Sequence, residues 1–343
     1  MRRARRIVVP LLAFLALAVV AYGLPAFVSD FRAQQFAYVW IYLIALIGLD
    51  VLTGYTGQIS LGHGAFMAIG GYTTAILMSD HGMKDIWTIP IAALVAGAVG
   101  FLFGFPALRL SGLYLALATF AVAVATPGLI KRFEDFTGGG QGINLFGTPE
   151  LTASLQPVSV AGFELNFNNW LYYLAATLAL VLYVVAWLLL RGRTGRAFRT
   201  VRDSETAAVS FGISLARYKT LAFGISAAYA GVAGSLFAIA TTFVNPDTFP
   251  VALSIYLLVG VVVGGLGSLV GLLAGAVFIQ FMPLWAQDGE SAIPDWLPVL
   301  GNLDTDSPGA PAVVFGGVLI GLMFVLPGGV AGLLTRLRGL TGR

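Results

Sequence analysis

The charges divide this sequence. Only 10% of its residues are charged, against about 25% in a soluble domain, and long runs between them carry no charge at all. Charge-free runs cover residues 7–29, 33–49, 61–79, 87–108, 110–130, 168–190, 220–242, 248–287 and 312–335. A helix crosses a bilayer with about 20 apolar residues. The run 248–287 is too long for one crossing and is interrupted by Gly264-Gly265-Leu266-Gly267-Ser268, so it divides into 250–264 and 268–287 and brings the expected spans to ten. In hydrocarbon every backbone polar group must be satisfied within the protein, which favours helices. The expected fold is all-α, a polytopic membrane protein in one domain over residues 1–343. The longest polar stretches, 131–167 and 191–219, are too short to fold around a core of their own. The basic start and the apolar run from Ile7 to Val28 resemble a signal peptide, but the run exceeds that signal's usual 7–15 residues. An uncleaved first span is expected.

Basic residues set the orientation, because cytoplasmic loops collect Lys and Arg. With the N-terminus cytoplasmic and ten spans alternating, 15 of the 19 Lys and Arg fall on the inner side. The inner group includes Arg2 to Arg6, Arg109, the seven from Arg191 to Lys219, and Arg336, Arg338 and Arg343. The outer side keeps Arg32, Lys84, Lys131 and Arg132, beside acidic residues such as Glu134, Asp135, Asp288 and Glu290. An even count places both basic termini in the cytoplasm. The segments 61–79 and 250–264 are the weakest spans, and either is short enough to be re-entrant.

The stretch from Gly54 to Gly71 departs from a plain apolar helix. It places Gly57, Gln58, Ser60, Gly62 and His63 where the chain turns after Asp50 and enters the third span. Asp50 is expected at the inner end of the second span. Exposed backbone at membrane depth survives only against protein or a water-lined cavity, and broken helices line translocation paths in many transporters. Gly57, Gln58, Ser60, Gly62 and His63 are therefore candidate path residues. Gly264, Gly265 and Gly267 in the second break join them. The competing reading is that small residues let helices pack closely and that His63 makes a structural hydrogen bond. The two breaks fall in the two halves of the chain, without a repeat at the level of residues.

Two polar loops complete the pattern. Thr137-Gly138-Gly139-Gly140-Gln141-Gly142 reads as part of an ordered external loop, with Thr137, Gly138, Gly139 and Gln141 as its candidate residues; the alternative is a flexible tether. On the inner side, Asp203 or Ser204 is suited to cap a helix that Gly212 is suited to end. A two-turn cytoplasmic helix with small residues and Phe211 on its surface suits docking into a groove on a soluble partner. Alternatively, the basic residues of 191–219 only anchor topology and bind anionic membrane lipid.

Enzymatic chemistry finds little support. There is no phosphate-binding loop and no H-E-x-x-H pattern. The chain has no cysteine and two histidines, which offer no metal set, and no cofactor or nucleic-acid partner is expected. A secondary transporter would need intramembrane carboxylates or cation sites, which are scarce here. A channel or a purely structural membrane subunit would also fit the composition.

Several motifs then converge. Gly54-Tyr-Thr-Gly-Gln-Ile-Ser-Leu-Gly-His-Gly-Ala-Phe66 resembles the signature of the permeases of branched-chain amino acid ABC importers, in the longer of their two types. Ser111-Gly-Leu-Tyr-Leu-Ala-Leu-Ala-Thr119, Thr137–Gly142 and Arg191-Gly-Arg-Thr-Gly-Arg196 are similar to the same family. So is Ala207-Ala208-x-x-x-Gly212-Ile213 followed by Tyr218-Lys219 and Ala222-Phe223. The resemblance runs from about residue 35 to 335 in order. It implies a bacterial inner-membrane permease subunit without an ATPase of its own. Its implied partners are a second, related permease, two cytoplasmic ATP-binding subunits and a periplasmic solute-binding protein. It makes 203–213 the coupling helix, with Arg202, Glu205, Ala207, Ala208 and Gly212 as coupling residues. The family often shows Glu-Ala-Ala-x-x-x-Gly, whereas Glu205 stands one place early, which leaves the role of the Glu open. Urea permeases share much of this pattern, so the resemblance leaves the solute between amino acids and urea or short amides.

Overall fold

The computed structural model describes residues 22–145, 158–160, 163–287, 310–326, 328–333 and 336. Residues 7–21 of the expected first span, 7–29, lie outside them, as do the acidic residues of 288–306, Arg338 and Arg343; the described end of that span forms a 3-10 turn, Leu24–Ala26. Each of the other nine expected spans holds a helix, though in the last, 312–335, the helix ends at Val325. These are α1 (Asp30–Asp50), α2 (His63–Ser79), α3 (Asp85–Ala107), α4 (Gly112–Arg132), α6 (Phe167–Arg191), α9 (Leu215–Thr241), α10 (Val251–Gly264), α11 (Leu272–Gln287) and α12 (Ala310–Val325). Between them lie three short helices, α5 (Glu134–Thr137), α7 (Arg193–Asp203) and α8 (Glu205–Ser210). Among the described residues, six helical stretches are long and apolar enough to cross a membrane. The helix α2 is a turn shorter, at 17 residues, because the break at 56–62 takes the residues that would complete it. The protein is a multi-pass membrane protein.

Two helices make the centre. In α1 with its continuation, 83% of the most apolar window is buried, and in α9 78%, whereas α3, α4 and α6 bury only 28–33%. The peripheral helices turn Leu, Phe and Val side chains outward, as Leu94, Leu102, Leu113 and Leu188 show, which a surface facing lipid tolerates. Helix association in lipid rests on close packing rather than on the hydrophobic effect, and small residues supply it here. A methyl group on Gly70 of α2 would meet the backbone of Gly231 in α9, and one on Gly234 would meet the carbonyl of Met67. Between α3 and α9, Gly100 faces Ala227 and Gly104 faces Thr220.

Four short strands escape the all-helical pattern. β1 (Ile143–Asn144) pairs antiparallel with β4 (Phe243–Val244), and β2 (Val158–Val160) pairs with β3 (Phe163–Leu165). The first pair joins the loop after α4 to the end of α9, and Leu145 N–H adds a bond to Thr242 O at 2.9 Å.

The alternation of spans sorts the loops to two ends, and the contacts follow that sorting. Residues 137–145 meet 242–245 at one end. At the other, the turn after α1, the start of α4, the α7–α8 segment and the α10–α11 break come together.

Candidate functional site

The helix α1 ends in a π-helical turn, Val51–Tyr55, and Gly57 then reverses the chain with φ of +72°. The bare backbone that follows is satisfied mostly by hydroxyls. Gln58 N–H donates to Leu52 O at 3.1 Å. Leu61 N–H donates to Thr119 Oγ1 at 2.9 Å, Gly62 N–H to Ser60 Oγ at 3.3 Å, and Gly64 N–H to Ser254 Oγ at 2.9 Å. Thr119 and Ser254 sit on α4 and α10, so neighbouring helices supply what the broken helix has lost. Gly62 lies so close to Thr119 O that a side chain there would collide with it.

The polar residues of the break have different surroundings. Ser60 and His63 are fully buried. His63 Nε2 lies 3.0 Å from Ala45 O; a carbonyl only accepts, so that nitrogen carries the hydrogen. Nδ1 is then the acceptor for Ser226 Oγ at 3.5 Å. His63 thus bridges α1 and α9. Gln58 donates through Nε2 to Thr56 Oγ1 at 3.0 Å, and its residue lines a cavity of about 280 Å³. Thr56 and Gly57 form the same wall, Leu110, Ser111, Gly112 and Leu115 a second, and Val201 to Glu205 with Lys219 a third. Ser60, Gly62 and His63 are not in these walls.

In the second break, Gly264 ends α10, and Gly265 and Gly267 take φ of +107° and +74°. The structure brings this break onto the first. The buried carboxylate of Asp50 accepts from Gly267 N–H through Oδ1 at 2.7 Å. Arg202 Nη1 donates to Gly54 O at 2.9 Å. Asp50 is the last residue of α1, at the end of the span as the charge pattern predicts, and it is fully buried. It is the site residue that the motif left out. Its signal was a lone carboxylate in an apolar run, which marks a functional position in a membrane helix.

The segment after Arg202 forms as its end signals require. Ser204 caps α8, its Oγ accepting from Ala207 N–H at 3.2 Å. Ile213 N–H returns to Ala208 O and Gly212 N–H to Val209 O, both at 2.9 Å, with Gly212 at φ of +74°. That pair of bonds is a Schellman ending. Ala208 is fully buried against its own chain, Ala207 is partly buried, and Val209 and Phe211 project outward at 58% and 78% exposure. Glu205 is turned back onto Lys219, whose Nζ lies 2.6 Å from Oε1.

At the opposite end, hydrogen bonds hold residues 137–145. Thr137 Oγ1 donates to Ile130 O at 2.7 Å and accepts from Gly139 N–H at 3.2 Å. Gly138 and Gly139 both take positive φ. Gln141 N–H donates to Gly138 O at 3.1 Å, and the residue is exposed. Residues 146–157, 161 and 162 lie outside the described residues.

A helical membrane protein with two broken helices meeting at one end, beside an exposed two-turn helix, is built like a transport permease. Residues 32–327 match the family described as branched-chain amino acid transport system / permease component. The chain belongs to that family. It is 39% identical over 279 residues to the high-affinity branched-chain amino acid transport system permease protein LivM of Escherichia coli K12, covering 77% of this chain and 65% of the relative. It is 30% identical over 277 residues to the autoinducer 2 import system permease protein LsrC of Enterobacter sp. 638, covering 78% and 75%. The LivH permease protein of Salmonella typhimurium is 25% identical over 250 residues, covering 69% and 79%. The match takes in just under two thirds of the LivM proteins' length, 65% and 66%. No solved structure matches.

Proposed function

We propose that this chain is a permease subunit of an ATP-driven importer that carries branched-chain amino acids across the bacterial inner membrane, with both termini in the cytoplasm. The family match over residues 32–327 carries the reading. Similarity to both LivM and LivH proteins, which differ from each other, supports pairing with a second, related permease. One of two cytoplasmic ATP-binding subunits would bind the exposed face of α8 around Val209 and Phe211, the other would serve the second permease, and a periplasmic binding protein would deliver solute to the end that holds Thr137 to Gln141. ATP-driven closure of the ATPases would move α8. The cavity beside Gln58 would then be the cytoplasmic mouth of the path, with Gly57, Gly264, Gly265 and Gly267 in the backbone that moves around it. The role of Ser60, Gly62 and His63 is to hold the broken helix in place. The likeness to LsrC adds autoinducer 2 to the solutes to be tested. Uptake of labelled leucine, urea and autoinducer 2 by cells with and without this gene tests the assignment. Loss of leucine uptake alone is expected; loss of urea uptake alone would reassign the solute.

A further inference from the structure

Three segments far apart in sequence meet at one point. Asp50 Oδ1 accepts from Gly267 N–H at 2.7 Å, which ties the end of α1 to the second break. Arg202 Nη1 donates to Gly54 O at 2.9 Å, which ties the same turn to the last residues of α7. The two bonds share a single crowded space. A Cβ on Gly54 would fall on Asp50 Oδ1 and Gly267 N, and one on Gly267 would lie 3.1 Å from Arg202 Nη1 and 3.2 Å from Gly54 O. The stem of Arg202 packs on Gly57, where a Cβ would lie 3.0 Å from Cγ. Asp50 Oδ2 has no partner among the described residues. A buried carboxylate with an unmet oxygen is costly, so Asp50 stabilises this arrangement only while its other oxygen holds Gly267. Arg202 stands two residues before Ser204, the cap of α8. A displacement of α8 therefore reaches the knot through a short, hydrogen-bonded connection.

We propose that Asp50 and Arg202 form a clasp that locks both helix breaks to the segment 203–213, so that displacing this segment moves both breaks together. Asp50 is in this sense a positioning residue. The clasp is a property of the chain itself; only its use in coupling rests on the function proposed above.

Amide hydrogen exchange on the full chain in detergent tests the clasp without any partner. Asp50→Leu removes the acceptor, and exchange at 265–268 is expected to rise about tenfold, the net worth of one hydrogen bond. Asp50→Asn keeps an acceptor oxygen and is expected to stay within about twofold of the parent. Arg202→Met keeps the stem on Gly57 and changes a side chain that is 39% exposed, so it serves even if Asp50→Leu fails to fold. It is expected to speed exchange at both 54–58 and 265–268. Unchanged exchange at 265–268 in Asp50→Leu, or an effect of Arg202→Met confined to 54–58, overturns the clasp. In the assembled transporter, solute moved per ATP is expected to fall about fivefold in Asp50→Leu and Arg202→Met, the low end of ordinary coupling energies, and to recover in Asp50→Asn. Faster exchange with an unchanged ratio overturns its coupling role. A parent complex that moves no solute overturns the proposed function, while exchange still decides the clasp.

Discussion

His63 and Gln58 are neighbours in one motif and have different tasks. His63 spends both ring nitrogens on Ala45 and Ser226, so His63→Ala is expected to lower stability by about 1–3 kcal/mol, the cost of leaving buried polar groups unmet. Thermal unfolding in detergent reads that loss, and solute affinity should not change. Gln58 borders the cavity. Gln58→Ala is expected to slow uptake by up to about tenfold, and, because the buried Nε2 loses its bond to Thr56 Oγ1, to lower stability by about 1 kcal/mol, less than His63→Ala. The sequence placed both residues at a break but did not separate these tasks. Which helix faces a side chain depends on α9 and α4, whose residues lie far along the chain.

Among the elements, α8 was the most legible because its causes are local. Ser204 and Gly212 act on backbone groups within a few residues, so capping rules located both ends. Its facing was not legible. Ala208, a natural choice for probing the contact with an ATPase, is fully buried within the chain, and Ala208→Arg would disturb the fold before any interface. Phe211→Ser and Val209→Ser are the better probes. They are expected to leave the melting temperature within about 1 °C, as surface changes do, and to abolish co-purification with the ATP-binding subunits. The meeting of the two breaks was hidden for the opposite reason. Asp50 with Gly267, and Gly54 with Arg202, are long-range pairs that no local signal announces. The α2–α9 crossing gives a further prediction. Gly70→Leu drives a side chain into the backbone of Gly231, and overpacking of about 1–3 kcal/mol or more is expected to remove most folded protein on size-exclusion chromatography.

At the scale of the whole molecule, the charge runs outline the helices, and among the described residues the loops that the positive-inside rule sorts into two groups lie at two ends. Which end faces the cytoplasm is a separate prediction. The chain contains no cysteine, so single substitutions can be labelled with a membrane-impermeant maleimide in intact spheroplasts. Gln141→Cys is expected to react at once and Ser210→Cys only after lysis; the reverse order would invert the protein. Transport by this chain is expected to draw its energy from ATP. The direct measurement is leucine uptake into proteoliposomes holding this chain, its permease partner and the ATP-binding subunits, with binding protein in the lumen-facing or outer position that matches the labelled orientation. Uptake that requires hydrolysable ATP and stops with a non-hydrolysable analogue is the predicted result. Uptake driven by an ion gradient, or by the leucine gradient alone, would contradict the account.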